Sequence, residues 1–449
     1  MTLEHFDVGI IGAGPAGLSA AFALKAGGKS VVIIEEYLWG GTCPNYGCDP
    51  KKMLLAAVEA KDQVEHLAGA GVVGDVKLDW TTLMRHKMAF TEPITARKIV
   101  GLDEAGIAHR YGHAEFVDDQ TVQLPGNTIK ANNWIIATGA RPARLDVPGD
   151  HYLLDNEDFL NLATMPDEIT LIGGGFIAIE FANIALAAGA KVHLVLKHDV
   201  VLRGFDRDMV ATMVAEMTAK GVNFQFMFDT DTVTQTADGR VTLHATDGRT
   251  LTVAAAFLAA GRKGNTDQLN IEAAGVQVEG NGIKVDEYLR TTTEHIYAVG
   301  DVANLPVPKL TPTSSAEARY VAGHILNPAN GPMVFPATPV VVFGSPKLGE
   351  VGITEAVALT QGYSIESFDM SHWMGYYRNL EPVAQAKVIL DQQGVIVGAS
   401  VLAAHADELI NYFTSAINRK QTQADMRKEM YSYPSLGSDM TAFMGGGMD

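Results

Sequence analysis

Two segments of the chain, about 160 residues apart, share one pattern of strand, glycine-rich turn, helix and strand. In the first segment the apolar run 8–11 leads into the glycines, and the apolar run 31–34 follows the helix. In the second segment the corresponding runs are 169–172 and 192–196. A glycine-rich turn between a buried strand and a helix is typical of the βαβ unit that binds a dinucleotide. The repeat predicts an α/β fold with two Rossmann-like domains and two nucleotide sites.

The first turn has glycine at three positions, Gly12, Gly14 and Gly17. In such a turn the first glycine allows the tight bend, the second lets the backbone approach a pyrophosphate, and the third lets the helix pack closely on the strand. Glu35 ends the next strand, where a carboxylate can bind a ribose hydroxyl. The set predicts a dinucleotide site, and the alternative is a turn that serves only packing.

The second turn indicates which nicotinamide coenzyme is used. Its small residues are Gly173, Gly175 and Ala178. The strand after it ends in Leu-Lys-His-Asp, with no acid at the position that would face a ribose. Lys197 and Arg203, with His198, could instead contact a 2′-phosphate, which favours NADPH over NADH. The alternative is that these cations are solvated and that Asp199 binds the ribose.

The chain has two cysteines, Cys43 and Cys48, directly after the first glycine-rich unit. In a reducing compartment a close pair of cysteines is more often redox-active than structural. No second Cys or His pair stands at the spacing of metal ligands, so no metal site is expected. Asp49-Pro50 predicts a helix start that would stabilise a Cys48 thiolate, although Asp49 adds an opposing charge. The alternative is an inert buried pair.

The composition is that of an ordinary soluble globular protein, with 47% hydrophobic and 19% charged residues. A net charge of −18 argues against a nucleic-acid partner, because phosphate binding needs a basic surface. The apolar stretch 8–24 is broken by glycines and a proline and lacks a basic n-region. We therefore expect no signal peptide, no transmembrane helix, no membrane partner and a cytoplasmic location.

Further motifs continue along the chain, and they are Ala137-Thr138-Gly139-Ala140-Arg141-Pro142, Gly261-Arg262, the run 296–301 that ends in Gly300-Asp301, and Leu310-Thr311-Pro312. With the two turns and the cysteine pair, they make the chain resemble, nearly from end to end, the two-cysteine flavoprotein disulfide reductases, which include glutathione reductase, dihydrolipoamide dehydrogenase and mercuric reductase. The resemblance implies bound FAD and NADPH and a C-terminal mixed α/β domain through which a homodimer forms. The implied limits are 1–145 and 266–332 for the FAD-binding domain, 146–265 for the NADPH-binding domain and 333–449 for the dimerisation domain.

The resemblance also implies roles for individual residues. Cys48 would face the flavin, and Cys43, expected to be the more exposed sulfur, would attack the substrate disulfide as a thiolate. Lys51 would pair with Glu180 close to the flavin, and Asp301 would hold the ribityl chain. The remaining positions implied in cofactor binding are Thr42, Thr138, Gly139, Gly261, Arg262, Gly300 and Thr311.

The chain departs from the family pattern at the acid–base position near its C-terminus. Where the family has a histidine, this chain has Tyr433, and Ser438 stands where an acid usually follows, with Asp439 next. By resemblance, Tyr433 would be supplied by the partner subunit to the Cys43 site. Tyrosine, with a reference pKa of about 10, can donate a proton but is a poor base. His372 and His405 are conceivable substitutes, although a surface or packing role explains each of them as well.

The region that would bind the substrate differs too. Phe22 takes the place of an arginine that glutathione reductases usually carry on the first helix, which argues against glutathione as the substrate. We predict an NADPH-dependent oxidoreductase that passes electrons through FAD to the Cys43–Cys48 disulfide and on to a small disulfide. Two alternatives stay open: a flavin reductase of non-disulfide acceptors, such as quinones, metal ions or reactive oxidants, and a redox-sensing subunit.

Overall fold

The structure is a computed structural model that describes residues 2–444. The chain forms two compact units, and each is built from three separate stretches of sequence. The first unit comprises the chain as far as Lys51, residues 85–143 and residues 261–334. The second comprises residues 52–84, residues 144–260 and the chain from Phe335 onwards. The domain limits expected from the sequence stay a prediction.

Strands and helices alternate along much of the described chain. The strands are β1 (Thr2–Ile11), β2 (Val31–Glu35), β3 (Ala108–Tyr111), β4 (Glu115–Phe116), β5 (Thr121–Leu124), β6 (Asn127–Ile136), β7 (Ala140–Pro142), β8 (Glu168–Ile172), β9 (Lys191–Val195), β10 (Asn223–Gln225), β11 (Thr230–Gln235), β12 (Val241–Ala245), β13 (Thr250–Val253), β14 (Ala255–Leu258), β15 (Arg262–Gly264), β16 (Val278–Glu279), β17 (Gly282–Ile283), β18 (Ile296–Ala298), β19 (Val340–Val342), β20 (Lys347–Gly352), β21 (Ser364–Asp369), β22 (Gln385–Leu390) and β23 (Ile396–Ala403). The α-helices are α1 (Pro15–Ala26), α2 (Thr42–Tyr46), α3 (Cys48–His66), α4 (Trp80–Thr91), α5 (Ile94–Glu104), α6 (Asn156–Leu160), α7 (Phe176–Ala187), α8 (Arg207–Ala219), α9 (Thr311–Leu326), α10 (Glu355–Gln361), α11 (Met374–Tyr377), α12 (Ala406–Asn418) and α13 (Gln423–Met426). A 3₁₀ segment covers Leu436–Met444.

The first unit is organised by a sheet of seven strands in the order β3-β2-β1-β6-β5-β4, with β18 also paired to β6. Strands β1, β2, β3, β6 and β18 run parallel, and β4 and β5 form an antiparallel extension. Val8 pairs with Val31 and Ile10 with Ile33, and all four side chains are buried. Strands that are apolar on both faces need a cover on both sides, which parallel βαβ connections supply. Helices α1 and α9 pack against each other in this unit.

The second unit contains the second Rossmann-like sheet, with the parallel order β10-β9-β8-β14. Helix α7 follows β8 and packs on β8 and β9. A separate antiparallel sheet, β11-β12-β13, lies within the same stretch of chain. The predicted α/β class with two Rossmann-like folds is confirmed.

The C-terminal part of the second unit is a five-stranded antiparallel sheet in the order β19-β20-β23-β22-β21. Helix α12 packs on β20 and β23 through one apolar stripe, formed by Leu409, Ile410, Phe413 and Ala416. The stripe follows the 3.6-residue helical period, which is the pattern of an amphipathic helix. The predicted mixed α/β architecture of this part is therefore confirmed. In the part of the chain that the structure describes, no helix has both the length and the apolar character needed to cross a bilayer.

The first glycine-rich turn depends on a very close contact between helix α1 and the end of β1. A Cβ atom added to Gly17 would lie 1.9 Å from the carbonyl oxygen of Gly12. A Cβ atom at Gly12, whose φ is +100°, would lie 2.4 Å from the carbonyl oxygen of Ala137. The roles assigned to the first and third glycines from the pattern therefore correspond to real steric limits.

We expect Gly17→Ala to lower the free energy of unfolding by about 1–3 kcal/mol, because the new methyl group forces α1 away from the turn. Urea denaturation followed by circular dichroism measures the change. Gly101→Ala is the matched control, since its Cβ would lie 3.9 Å from the Phe22 ring and alanine favours the helix interior of α5 by up to about 1 kcal/mol. A Gly17→Ala protein as stable as the parent would contradict the packing argument.

Candidate functional site

The cysteine segment lies directly against the first glycine-rich turn, because two backbone stretches meet there without side chains. Gly41 has φ +66° and is the N-cap of α2. A Cβ atom at Gly41 would lie 2.6 Å from Gly14 Cα. The next residue, Thr42, begins α2, and Cys43 follows within that short helix. The redox pair and the first turn therefore form one continuous site in the first unit.

As whole residues, Cys48 is exposed and Cys43 is half-buried. The Cys43 thiol interacts with Cys48, Asp49 and Thr311. The expectation that Cys48 faces the flavin and that Cys43 presents the more exposed sulfur stays a prediction. Helix α3 begins at Cys48 rather than after Asp49, which places Asp49 in the first helical turn.

The surroundings of Cys43 favour its protonated form. Its interaction with Cys48 is the largest cause that raises the pKa of the Cys43 thiol, followed by burial and the Asp49 charge. Thr311, at the start of α9, acts in the opposite direction and lowers the pKa. Cys43 Sγ donates to Asp49 Oδ1 at 3.8 Å. Burial raises the pKa of Asp49 itself. The Asp49 carboxylate is thus a proton acceptor in contact with the Cys43 thiol.

The N-terminus of α1 fits the pyrophosphate of a dinucleotide. Gly14 is the N-cap of this 12-residue helix, no side chain caps it, and its first turn has no acid. A Cβ atom at Gly14 would meet a single atom within 4 Å, Gly41 Cα at 3.9 Å. A side chain here would fill the space beside the uncapped N–H groups, which is where a helix binds phosphate.

Glu35 is held in place by the backbone around it. Its Oε2 accepts from Ala13 N at 2.8 Å, and its Oε1 accepts from Glu36 N at 3.0 Å and Tyr37 N at 2.9 Å. Burial raises its pKa, and the three N–H donors oppose that shift. A carboxylate has about four acceptor positions, so three backbone bonds leave it able to accept from a ribose hydroxyl.

The remaining predicted FAD residues gather around two loops of the first unit. Asn265 joins the first loop, since Thr138 Oγ1 donates to Asn265 O at 2.7 Å and Asn265 N donates to Gly139 O at 3.0 Å. Arg262, which follows Gly261, donates to the carbonyl of Ala140. Sequence reasoning missed Asn265, because nothing in the pattern marks its backbone as a partner of the loop.

The second loop carries Asp301, and a buried acid holds it. Glu317 Oε2 accepts from Gly300 N at 2.6 Å, and the side chain is 3% exposed. Burial raises the pKa of Glu317 to about 7. Burial also raises the pKa of Asp301, while Arg262 and Lys309 oppose the shift. Sequence reasoning missed Glu317, because its partner is the backbone N–H of Gly300, 17 residues earlier in the chain.

The second glycine-rich turn fits a dinucleotide as well. Gly175 is the N-cap of α7, and a Cβ atom there would have no neighbour within 4 Å. At Gly173 a Cβ atom would lie 2.2 Å from the carbonyl oxygen of Ala259, and Ala178 is fully buried. This turn therefore combines close packing on the strand side with open space at the helix N-terminus.

The cations expected at the coenzyme phosphate are at the surface near this turn. Lys197 Nζ pairs with Asp229 Oδ2 at 3.1 Å, and both side chains are well exposed. Arg203, His198 and Asp199 are exposed too. The pairing of Lys197 with Asp229 was not foreseen from the sequence, because the two residues come from different strand ends.

Glu180 is the buried charge of the second unit that the sequence singled out. Its side chain is 1% exposed, and Oε2 accepts from Lys52 Nζ at 2.6 Å. Oε1 accepts from Phe343 N at 3.1 Å, and Lys52 Nζ lies 3.7 Å from the centroid of the Phe343 ring. Lys52 is a partner that sequence reasoning missed. Lys51 is buried in the first unit, and its predicted pairing with Glu180 stays a prediction.

Tyr433 lies at a small cavity of about 190 Å³ in the second unit. Its side chain is 77% exposed, whereas Asp439 on the same cavity is 6% exposed. Burial raises the pKa of Asp439 to about 6, and Arg378 opposes the shift. Ser438, at the expected acid position, donates to the carbonyl of Ser435. The described lining residues are Met374, Gly375, Tyr431, Tyr433, Pro434, Ser435, Ser438, Asp439 and Thr441, so His372 and His405 are not among them.

Comparison with known proteins gives consistent matches over the chain. The family described as pyridine nucleotide-disulphide oxidoreductase matches residues 6–318, and the dimerisation domain of the same family matches residues 338–442. Glutathione reductase from Burkholderia cepacia is 32% identical over 447 residues, which cover 98% of each chain. Mercuric reductase from Bacillus cereus is 29% identical over 97% of this chain and 70% of that protein.

Among solved structures, one similar fold is that of the Cu(II) complex of the HOCl-induced flavoprotein disulfide reductase RclA from Escherichia coli. Its TM-score is 0.88, with 25% identity over 98% of this chain and 99% of the other. The complex of the C43S mutant of that protein gives a TM-score of 0.89.

We expect Asp49→Asn to lower the pKa of the Cys43 thiol, because it removes the negative charge beside Sγ. At a fixed pH below that pKa, the reduced protein should be alkylated at Cys43 about 3–10 times faster. Iodoacetamide labelling of the Cys43 peptide, followed by mass spectrometry, measures the rate. Glu104→Gln, an exposed acid of the same unit, is the control and should leave the rate unchanged. An unchanged rate in Asp49→Asn would show that this carboxylate does not control Cys43.

Proposed function

Because the chain belongs to the pyridine nucleotide-disulphide oxidoreductase family, we propose that it carries electrons from NADPH to its Cys43–Cys48 pair and from there to a small disulfide. Members of this family are flavoprotein oxidoreductases that use FAD and NAD(P)H. The observation that carries the proposal is the position of the pair, which lies on the first glycine-rich turn and contacts Thr311 at the start of α9.

Each cofactor has residues in this chain that would hold it. For FAD these are the N-terminus of α1 at Gly14, the carboxylate of Glu35, and the Asp301 loop that Glu317 fixes. For NADPH they are the N-terminus of α7 at Gly175 and the exposed cations Lys197 and Arg203. When bound, the two cofactors supply hydride transfer and a two-electron store.

The cysteines then perform thiol–disulfide exchange. The Cys43 thiolate attacks one sulfur of the substrate, so that a mixed disulfide forms and the first substrate thiolate leaves. Cys48 then attacks Cys43 Sγ, which releases the second substrate thiolate and restores the Cys43–Cys48 disulfide. Counted over a full cycle, one NADPH and one proton convert one disulfide into two thiols. The Cys43 proton can leave to Asp49, whose Oδ1 already accepts from Sγ.

A proton must also reach the leaving thiolates. We propose a homodimer in which Tyr433 of the partner subunit donates that proton at the Cys43 site, in place of the histidine of the family. The dimerisation-domain match over residues 338–442 supports this arrangement, as does the 77% exposure of the Tyr433 side chain. A phenol donates well but accepts poorly near neutral pH.

A second candidate function is the reduction of a metal ion by the same dithiol. The solved RclA structures are Cu(II) complexes, and mercuric reductases are among the relatives. A metal-ion acceptor would need less proton transfer at the Tyr433 position than a disulfide does. Such turnover would consume NADPH with Cu(II) present and no disulfide added.

We expect anaerobic addition of NADPH to the oxidised holoenzyme to generate two thiols per chain that react with 5,5′-dithiobis(2-nitrobenzoate). Cys43→Ser should leave reduction of the bound flavin by NADPH intact while disulfide turnover falls by more than about 10³-fold, since the attacking sulfur is lost. Absorbance at the flavin and thiol-reagent bands measures both. The two cysteines are the whole cysteine content of the chain, so the thiol count has no background from other positions.

Two outcomes would contradict the disulfide proposal. In the first, NADPH reduces the flavin but no new thiols appear. In the second, Cys43→Ser retains disulfide turnover. Full thiol formation with turnover on Cu(II) and on no disulfide would favour the second candidate function.

We expect the double change Lys197→Ala and Arg203→Ala to raise the KM for NADPH by about tenfold or more and to leave the KM for NADH nearly unchanged, because only NADPH carries the 2′-phosphate. Steady-state kinetics with each coenzyme measures the ratio. Lys191→Ala is the matched control, since this lysine pairs with Glu168 at the opposite end of β9. Equal effects of the double change on both coenzymes would remove the basis for NADPH preference.

A further inference from the structure

The cavity beside Tyr433 contains a buried carboxylate oxygen whose hydrogen-bonding capacity is not used. Asp439 is 6% exposed, and its Oδ2 has no hydrogen-bond partner among the described residues. The Cα of Gly375 faces the same atom so closely that an added Cβ would lie 2.8 Å from Oδ2. Leaving a buried acceptor unsatisfied costs about 1–3 kcal/mol, and more when the group is charged. Asp439 Oδ2 is therefore available to a hydrogen-bond donor that enters the cavity.

The lining chemistry limits the ligand to one class. Of the described residues that line the cavity, Asp439 is the one with a formal charge. The others offer hydroxyl groups or apolar surface, and the hydroxyls come from Tyr431, Tyr433, Ser435, Ser438 and Thr441. A ligand carboxylate would meet no cation there and would face a like charge. A group that donates hydrogen bonds and carries a positive charge would match Oδ2 in both respects.

Titratable and charged groups also approach Asp439 from outside the cavity. Burial raises the pKa of Asp439, and the charge of Arg378, which follows α11, opposes that rise. Burial also raises the pKa of Tyr376, and the charge of Asp439 adds to that rise. Tyr412 on α12 comes close to the same 3₁₀ segment at Gly437, and Arg427 donates to the carbonyl of Met444 at its end. Among the described residues, none of these groups donates a hydrogen bond to Oδ2.

We propose that this cavity is a binding subsite for the ammonium group of a small acceptor, with Asp439 Oδ2 as its anchor and the lining hydroxyls as secondary contacts. The inference rests on the proposed function, which places Tyr433 at the acceptor. It adds the class of substrate, namely a disulfide that carries an amine close to its sulfur atoms. The volume of about 190 Å³ suits a short aminoalkyl arm rather than a peptide.

Three small disulfides of similar size but different charge show whether the charge or the shape of the ligand determines binding at the cavity. Cystamine carries an ammonium on each arm, bis(2-hydroxyethyl) disulfide is neutral, and dithiodiglycolate is anionic. Binding of each to the oxidised holoenzyme is measured by isothermal titration calorimetry at pH 7.5, which needs no turnover. We expect cystamine to bind about 10- to 100-fold more tightly than the neutral disulfide, and dithiodiglycolate to bind most weakly.

Two variants test the anchor in different ways. Asp439→Asn removes the charge and keeps the shape, and Gly375→Ala keeps the charge and blocks Oδ2 with a methyl group. Both should abolish the preference for cystamine. Glu429→Gln, an exposed acid of the same C-terminal segment, is the matched control and should keep it. Thermal unfolding verifies that each variant is folded. If Asp439→Asn does not fold, Gly375→Ala alone tests the role of Asp439 Oδ2 as the anchor.

A pH series adds a second readout. Because the pKa of Asp439 is raised to about 6, the carboxylate is ionised at pH 7.5 and mostly protonated at pH 5. The cystamine ammonium groups stay charged over this interval. The affinity for cystamine should therefore fall about tenfold from pH 7.5 to pH 5, whereas the neutral disulfide should bind equally at both.

The outcomes separate the subsite from the proposed function. Equal binding of cystamine and the neutral disulfide, or a cystamine preference that survives both variants, would overturn the subsite. NADPH consumption is followed with the same three compounds in parallel. If cystamine binds as expected and no disulfide is turned over, the subsite stands and disulfide reduction fails. If all three are turned over at equal KM, disulfide reduction stands and the subsite fails.

Discussion

The contact between two glycines is the constraint on which the redox site depends. Gly41 approaches Gly14 so closely that a Cβ atom added to Gly41 would lie 2.6 Å from Gly14 Cα and would not fit. This approach lays the segment with both cysteines on the N-terminus of α1, where helix N–H groups are unpaired by side chains. Under the proposed function, anion binding by the helix and redox chemistry at the sulfurs would therefore take place side by side in the first unit.

In each of the two units, largely buried carboxylates fix loops by accepting from backbone N–H groups. Glu35 accepts from three amides after β2, Glu317 accepts from Gly300, and Glu180 accepts from Phe343. A buried acid that accepts from amides fixes a loop more rigidly than an apolar contact does, because the geometry of each bond is directional. Two of these acids, Glu35 and Glu180, were recognisable from their motifs. Glu317 was not, because its partner is 17 residues away and has no side chain.

The parts of the fold that follow a short period could be predicted from the sequence. Residues close together in the sequence determine three of these features, so the sequence pattern predicts them. They are the two glycine-rich turns, the parallel strands around them and the amphipathic helix α12. The contact of Cys43 with Thr311 could not be read in this way, since Thr311 lies far along the chain. The burial of Asp439 depends on the packing of Gly375 and Arg378 around it.

In the proposed coenzyme site, Lys197 already pairs with Asp229, so binding of a 2′-phosphate there would exchange one counter-ion for another. A phosphate that arrives at Lys197 displaces a carboxylate that is already part of the chain, so only the difference between the two attractions counts towards affinity. Both partners are exposed, and dissolved salt weakens each attraction within about 8–10 Å. Substitutions at residue 229 would therefore change the proposed preference for NADPH by small steps and leave the glycine-rich turn itself unchanged.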